Sequence, residues 1–152
     1  MSNGQRANLS GKRLENHVAS VLDDFRYSEV LPKNFFDLKN GVGNPIYARQ
    51  CYAGTSIYNR KRRVDIILHH PQKWADCLVI QCKWQSRSGS VDEKYPFEVL
   101  SINKNPFPTV IVLDGGGYSS VSGEWLRSKA GKGNLLQVCN LGEFDNFAKA
   151  NL

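Results

Sequence analysis

The chain has 152 residues, 41% hydrophobic and 11% aromatic, which is typical of a globular domain and too apolar for a disordered segment. Lysine and arginine outnumber aspartate and glutamate by 20 to 14, so the net charge of +6 makes polyanions candidate partners. The longest apolar runs, Cys77–Ile80 and Val110–Leu113, are far too short to cross a bilayer, so no membrane association is expected. The polar start of the chain indicates no secretory signal, and we expect one cytoplasmic domain over residues 1–152.

Cysteine and histidine residues give no pattern typical of a metal site. The four cysteines are irregularly spaced and include no C-x-x-C pair, so we expect small buried side chains in a reducing compartment: Cys51, Cys77, Cys82 and Cys139. His69 and His70 are adjacent, and on a strand they would point to opposite faces. A histidine-bound metal is therefore not expected.

The first half of the chain predicts one helix and three strands. The helix runs from Gly11 to about Phe25 with Ser10 as its N-cap, because apolar residues recur at helical spacing. A turn-rich stretch, Pro32–Pro45, follows the helix. The predicted strands after it are Ile46–Ala53, Arg63–His69 and Cys77–Trp84.

The second half predicts helices that alternate with strands. A helix over Val91–Lys104 has Ser90 and Glu93 in capping-box positions, and Pro96 in its second turn predicts a kink. The elements after it are Thr109–Leu113 (strand), Ser122–Ala130 (helix), Leu135–Cys139 (strand) and Leu141–Ala150 (helix). The order α-β-β-β-α-β-α-β-α predicts an α/β fold in which helices flank a mixed β-sheet.

Two acidic residues lie next to apolar surroundings. Glu15 is about 75° from the centre of its helix's apolar stripe, so it flanks the buried face. Asp65 interrupts a strand that is otherwise apolar on both faces, where a carboxylate costs several kcal/mol unless it is paired or bound to a metal. The alternatives are a boundary position for Glu15 and a salt bridge from Asp65 to Arg49 or Arg63.

Gln81 and Lys83 project from one face at the end of a strand that is otherwise apolar, which indicates a functional position. The alternative is a strand end that is exposed to solvent. A hairpin would make Gln81 a neighbour of Asp65. Magnesium prefers oxygen ligands, and Asp65, the Gln81 amide and the Cys82 backbone carbonyl can supply them. Lys83 would then orient or deprotonate a metal-associated water, and Glu15 would hold a further water or a second ion.

The order of these motifs resembles that of the PD-(D/E)xK nuclease superfamily, in its variant with glutamine in place of the first acid of the last motif. The motifs are Glu15 on a helix, Asp65 on a strand and Gln81-x-Lys83 on the next strand. The resemblance covers residues 11–113, which corresponds to the αβββαβ restriction-endonuclease-like core of that family. It is greatest to methyl-directed restriction nucleases, archaeal Holliday-junction resolvases and small phage or intron-encoded (homing-type) endonucleases.

The resemblance implies that Asp65 and Gln81 are metal ligands, Lys83 the catalytic lysine and Glu15 a supporting acid. It implies a Mg²⁺-dependent DNA endonuclease, with Mn²⁺ as a substitute, that leaves a 5′-phosphate. Val64 stands where the family name has proline, and Gln81 removes one negative charge. The alternatives are a structure-selective resolvase and a catalytically inactive DNA-binding module. One domain holds one site, so cutting both strands implies a homodimer or a higher oligomer.

The basic residues near these motifs predict contacts with DNA. The run Arg60-Lys61-Arg62-Arg63 leads directly into the Asp65 strand, where it would hold backbone phosphates without reading sequence. An ordinary solvated loop is the alternative. Arg87, Ser90 and Lys94 lie at the start of the helix that follows the last motif, and the free N–H groups there form a ready phosphate site.

Overall fold

The computed structural model describes residues 3–41, 43–85, 92–116 and 120–152. Its elements, in chain order, are α1 Asn3–Asp24, β1 Ser28–Glu29, a 3-10 turn Pro32–Asn34, α2 Phe35–Lys39, β2 Ile46–Thr55, β3 Lys61–His70, β4 Trp74–Trp84, α3 Lys94–Lys104, β5 Thr109–Asp114, α4 Ser120–Ser128, β6 Leu135–Cys139 and α5 Leu141–Asn151. None of the helices in these ranges is long and apolar enough to cross a membrane.

The strands form one sheet in the order β1-β2-β3-β4-β5-β6. Strands β2, β3 and β4 pair antiparallel, whereas β1 pairs with β2, β4 with β5, and β5 with β6 in parallel. Each parallel pair is joined by a helical crossover: the 3-10 turn and α2 connect β1 to β2, α3 connects β4 to β5, and α4 connects β5 to β6. The predicted mixed α/β sheet is confirmed.

Helices cover both faces of the sheet. One core packs α1 and α5 against the central strands, with Leu22, Ile66, Ile80 and Phe144 fully buried in it. On the other face, α2 packs beside Ile67 and Val79, and α3 and α4 enclose a third cluster. All four cysteines are free. Cys51, Cys77 and Cys139 are buried, as predicted, whereas Cys82 is only partly buried, so the prediction is wrong for Cys82.

The helix α1 begins at Asn3, well before the predicted start at Gly11. Ser10 therefore lies inside the helix, and its prediction as the N-cap is wrong. The polar segment before Gly11 contains glutamine, arginine, alanine and leucine, which have good helix propensity.

The helix α3 begins at Lys94, with Glu93 as an N-cap residue whose side chain makes no capping hydrogen bond. The predicted capping box, which needs Glu93 in the third helical position, is therefore wrong, and Ser90 lies outside the described residues. Pro96 falls in the first helical turn, where a backbone N–H has no intrahelical partner and its loss breaks no hydrogen bond. A capping box is instead present at Asn140 and Glu143 of α5.

The β2–β3 hairpin is fastened to α3 by Asn105, a buried residue that follows the helix. Its Oδ1 accepts from the Thr55 N–H at 3.0 Å, and its Nδ2 donates to the carbonyls of Thr55 and Ser101 at 2.7 Å. Gly54 has a φ of +72°, and an added Cβ would overlap the Asn105 side chain. The close approach of hairpin and helix therefore requires glycine at this position.

We expect Gly54→Ala to destabilise the fold far more than Gly116→Ala. Both glycines have positive φ, +72° and +69°, but open space surrounds Gly116. Gly116→Ala should cost about 1 kcal/mol through its backbone conformation alone. Gly54→Ala should cost at least about 2 kcal/mol more, because Asn105 must also give up buried hydrogen bonds. Chemical denaturation of both variants measures the difference, and equal losses would contradict the proposed fastening.

Candidate active site

The candidate site lies where β3 and β4 separate. Their paired register ends at Ile66 and Ile80. At the next position, where Asp65 lies opposite Gln81, side chains take the place of the backbone partners. The Gln81 Oε1 accepts a hydrogen bond from the Asp65 N–H, and the Asp65 Oδ2 accepts one from the Cys82 N–H, both at 2.8 Å. The hairpin therefore brings Asp65 and Gln81 together, as their positions on successive strands predict.

The Cys82 backbone also points into this opening. In a β-strand the N–H and C=O of one residue point toward the same neighbouring strand. Since the Cys82 N–H donates to Asp65 on β3, the Cys82 carbonyl lies on that side as well. Two neutral oxygens, the Gln81 amide and the Cys82 carbonyl, thus accompany the Asp65 carboxylate.

A residue that sequence reasoning missed, Gln50 on β2, connects Asp65 to Glu15. Its Nε2 donates to the Glu15 Oε2 at 2.9 Å and to the Asp65 Oδ1 at 3.3 Å. Glu15 is 5% exposed, so this contact lies at the buried end of the site. Gln50 falls opposite Asp65, between the Arg49–Ile66 and Cys51–Val64 pairs, so the pairing of the two strands brings it to the site and no local sequence pattern marks it.

On both strands, the regular alternation of side chains between the two faces of the sheet is interrupted at the Gln50–Asp65 pair. Ala48 and Cys51 are three residues apart, so a regular strand would place them on opposite faces, yet both pack into the same apolar cluster. Val64 and Ile67 on β3 are also three residues apart, and both pack into that cluster. Gln50 has a φ of +52°, a left-handed conformation uncommon for a residue with a side chain. The bend therefore removes Asp65 from the regular alternation that the sequence predicted.

Two cationic side chains lie close to the Glu15 carboxylate. The Arg49 Nε lies 3.8 Å and the Lys12 Nζ 3.7 Å from the Glu15 Oε1, and Arg49 also approaches Glu29 at 3.4 Å. These contacts are ion pairs without hydrogen bonds: within the described ranges, the buried Glu15 Oε1 has no donor. Asp65 makes no ion pair with any described residue, so the salt-bridge alternative is not observed for it.

A second missed residue, Glu98 on α3, completes the opposite wall. It accepts from the Gln81 Nε2 at 2.9 Å and pairs with Arg62 at 3.4 Å and with the Lys83 Nζ at 3.9 Å. Burial alone would raise the pKa of Glu98, but Lys83, Arg62 and Gln81 outweigh burial and hold the pKa below its ordinary value. Glu98 is therefore a carboxylate at neutral pH, and it lies within ion-pair distance of the Lys83 ammonium group.

The side chains around this opening line a cleft of about 330 Å³. Its lining includes the four site residues Asp65, Gln81, Lys83 and Glu98 together with Ser56, Lys61, Arg62, Arg63, Phe97 and Ser101. The cleft thus combines two carboxylates, Asp65 and Glu98, with a lysine and further cations, which is the chemistry needed to hold a phosphodiester and a divalent cation.

The predicted DNA-binding residues differ in exposure. Arg60, Lys61, Arg63 and Lys94 are exposed and free to reach a phosphate. Arg62 is buried against Glu98, so its guanidinium serves the cleft wall and is not presented to solvent. Arg87 and Ser90 lie outside the described residues.

The oxygen donors present suit a hard divalent cation. The described residues contain no group of three or more histidine, cysteine, aspartate or glutamate side chains that could hold a metal. Mg²⁺ nevertheless needs only one or two protein carboxylates with neutral oxygens. Asp65, Gln81 and Cys82 offer that set, and the orphaned buried oxygen of Glu15 is a further acceptor nearby. The donor set therefore fits the ion.

Glu98→Gln should lower the free energy of unfolding at pH 7 by about 1–3 kcal/mol, because Arg62 and Lys83 lose a buried charged partner. The pKa of Glu98 is lowered, so its stabilisation is present above the ordinary value of 4.5 and is lost as the pH falls through the folded-state pKa. The gap between wild type and variant should therefore shrink on acidification.

Denaturant titrations across pH measure this gap. The matched control is Glu143→Gln, since Glu143 pairs with Arg127 at 3.1 Å but its side chain is 43% exposed. That variant should cost about 0.5 kcal/mol or less. A gap for Glu98→Gln that stays constant down to acidic pH would contradict its assignment as a buried carboxylate.

The relation to known proteins rests on one finding. A family model described as a PD-(D/E)XK nuclease superfamily domain matches residues 6–151. Comparisons with curated proteins and with solved structures gave no match. The family match extends past the predicted resemblance over residues 11–113 to include the last two helices and the strand between them. Because the match covers nearly the whole chain and the sheet carries the expected helices, the chain belongs to the PD-(D/E)XK nuclease superfamily.

Proposed function

We propose that the protein is a Mg²⁺-dependent DNA endonuclease that hydrolyses phosphodiester bonds in the cleft beside Asp65 and Lys83. The observation that carries this proposal is the opening between β3 and β4. There one carboxylate, an amide oxygen and a backbone carbonyl converge, with Lys83 on the same strand face as Gln81. Membership in a nuclease superfamily gives the reaction class.

Asp65, the Gln81 amide oxygen and the Cys82 carbonyl would hold the cation, with Glu15 in a supporting position. Mn²⁺ should substitute, because it accepts the same oxygen ligands. When bound, the ion supplies Lewis-acid stabilisation of the charge that develops on the phosphate and activates the attacking nucleophile.

The protein's own groups orient these donors before substrate arrives. Hydrogen bonds from the Cys82 N–H and the Gln50 amide orient the Asp65 carboxylate, which lines the cleft. Lys83 is one-third exposed, and the Glu98 carboxylate lies 3.9 Å from its ammonium group. A positive charge held beside the scissile phosphate stabilises the transition state without reorganisation.

The DNA backbone would lie along the exposed cations Arg60, Lys61, Arg63 and Lys94, with Arg87 and Ser90 as further contacts. Phosphate contacts of this type position a duplex but do not read its sequence. The described part of the chain offers one cleft of this kind, so cutting both strands would need a homodimer or a higher oligomer.

Asp65→Asn and Lys83→Ala should each lower the cleavage rate by at least about a hundredfold while DNA binding survives. The reason is that each change removes charge at the reacting phosphate and leaves the outer cations in place. The measurement is nicking of supercoiled plasmid with Mg²⁺, beside binding of the same DNA in EDTA.

Asp145→Asn and Lys149→Ala on α5 are the matched controls, since they make the same chemical changes on a helix that does not line the cleft. Wild-type cleavage that persists in EDTA would refute the metal dependence. Near-normal cleavage by either site variant would refute the assigned roles. Binding without cleavage by the wild type would identify an inactive DNA-binding module instead.

Neutralising Arg60, Lys61 and Arg63 to glutamine should weaken DNA binding about equally for all sequences. Removal of each phosphate contact should lower the log–log salt slope by about 0.9. Arg62 is left unchanged because it is paired with Glu98. Binding isotherms over a range of salt concentrations measure the slope.

The control replaces three exposed lysines outside the cleft lining with glutamine and so makes the same change in net charge: Lys33, Lys132 and Lys149. A salt slope that falls equally in both triple variants would show that net charge, and not the hairpin surface, governs binding.

A further inference from the structure

Two aromatic rings stand exposed at the mouth of the cleft. Tyr58 at the tip of the β2–β3 hairpin is 71% exposed, and Phe97 on α3 is 37% exposed. Their ring centroids are 5.5 Å apart, with an angle of 41° between the ring planes. Phe97 lines the same cleft as Asp65 and Lys83. The aromatic pair is therefore part of the surface that a bound strand would meet.

The hairpin tip that carries Tyr58 is anchored to α3. The Ile57 N–H donates to the Ser101 Oγ at 3.4 Å, and the Lys104 Nζ donates to the Ser56 carbonyl at 2.8 Å and to the Asn59 side chain. The Asn59 N–H also closes the turn on the Ser56 carbonyl at 2.9 Å. The two rings are thus held as a pair before any ligand binds.

Duplex binding does not account for this pair. Phosphates of a continuous duplex are held by cations, and Lys61 and Arg63 already lie in the cleft lining for that purpose. Exposed aromatic faces stack on bases, but bases inside a duplex are already stacked on one another. Rings beside a cationic groove are the arrangement that binds unpaired nucleotides.

We propose that Tyr58 and Phe97 stack on unpaired bases of the DNA whose backbone lies in the cleft. The protein would then favour DNA with a single-stranded segment, such as a flap, gap or branch, over a continuous duplex. This inference rests on the proposed function, because it takes the cleft as the path of the DNA backbone.

Charge favours nucleic acid over a second copy of this chain on the same surface. Arg60, Lys61 and Arg63 are exposed beside the rings, and a symmetric contact through the rings would bring these cations toward their own counterparts. A polyanion neutralises them instead.

The test compares binding of a fluorescent oligothymidine and of a duplex of equal length, both in EDTA, by fluorescence anisotropy. Tyr58→Leu/Phe97→Leu keeps apolar volume but removes both rings. We expect its affinity for the single strand to fall by about fivefold or more and its duplex affinity to change by less than about twofold. Tyr58→Phe keeps the ring and should bind the single strand like wild type.

Leu136→Ala is the matched surface control, since Leu136 is also 37% exposed but lies on β6 and outside the cleft lining. Photo-crosslinking of wild type to an oligonucleotide that contains 5-iododeoxyuridine gives a readout that needs no variant to fold. Crosslinks should map to Tyr58 or Phe97, and their absence from both residues would overturn the inference.

Single-strand affinity that is unchanged in the double leucine variant would also overturn it, as would an equal loss for both DNA forms. Sedimentation showing a wild-type dimer that the leucine changes dissociate would assign the rings to a second copy. Because binding is measured without metal, these outcomes are separate from the proposed cleavage. A wild type that cleaves plasmid but shows no ring-dependent binding refutes this inference alone.

Discussion

The hydrogen bond from the Cys82 N–H to the Asp65 carboxylate is the interaction on which the site depends. It replaces a strand-to-strand backbone bond at the point where β3 and β4 separate, so the sheet can open without leaving a backbone donor unpaired. It also supplies a donor to a carboxylate that has no ion pair among the described residues, which offsets the cost of partial burial. The opening of the sheet and the position of its acid therefore share this hydrogen bond.

Glutamine at position 81 makes two hydrogen bonds that a glutamate could not both make. The Gln81 amide accepts from the Asp65 N–H with its oxygen and donates to Glu98 with its nitrogen. A glutamate could accept the first bond but could not make the second, and two carboxylates would then face each other at hydrogen-bond distance. In this protein the negative charge lies on Glu98 of α3, where it pairs with Lys83 and Arg62. Both the oxygen and the nitrogen of the Gln81 amide therefore have hydrogen-bond partners.

Local patterns predicted much of the fold and part of the site. Strand alternation and helical spacing marked Asp65, Gln81 and Glu15 as polar residues in or beside apolar surfaces, and one connecting loop was enough to place Asp65 beside Gln81. Gln50 and Glu98 could not be found in this way. Gln50 owes its position to a left-handed backbone inside a strand, and Glu98 owes its low pKa to partners from two other elements. Both depend on tertiary packing, for which a single sequence carries no periodic signal. The short helix α2 fell in the turn-rich stretch Pro32–Pro45, and β1 has only two residues, too few for a periodic pattern. The pairing of β1 with β2 is likewise tertiary.

Helix α3 joins the chemical and the surface features of the cleft. Glu98 faces Lys83 and Gln81, Phe97 stands beside Tyr58 at the mouth, and Ser101 receives a hydrogen bond from the hairpin tip. These three residues are spaced by one, three and four positions, so they lie along adjoining sides of the same two turns. A shift of this helix would alter the charge beside Lys83 and the position of the hairpin together. Because Glu98 and Phe97 lie on one helix, that helix sets the distance between the candidate site and the exposed rings, and the proposed contacts with DNA would then position a phosphate relative to Asp65.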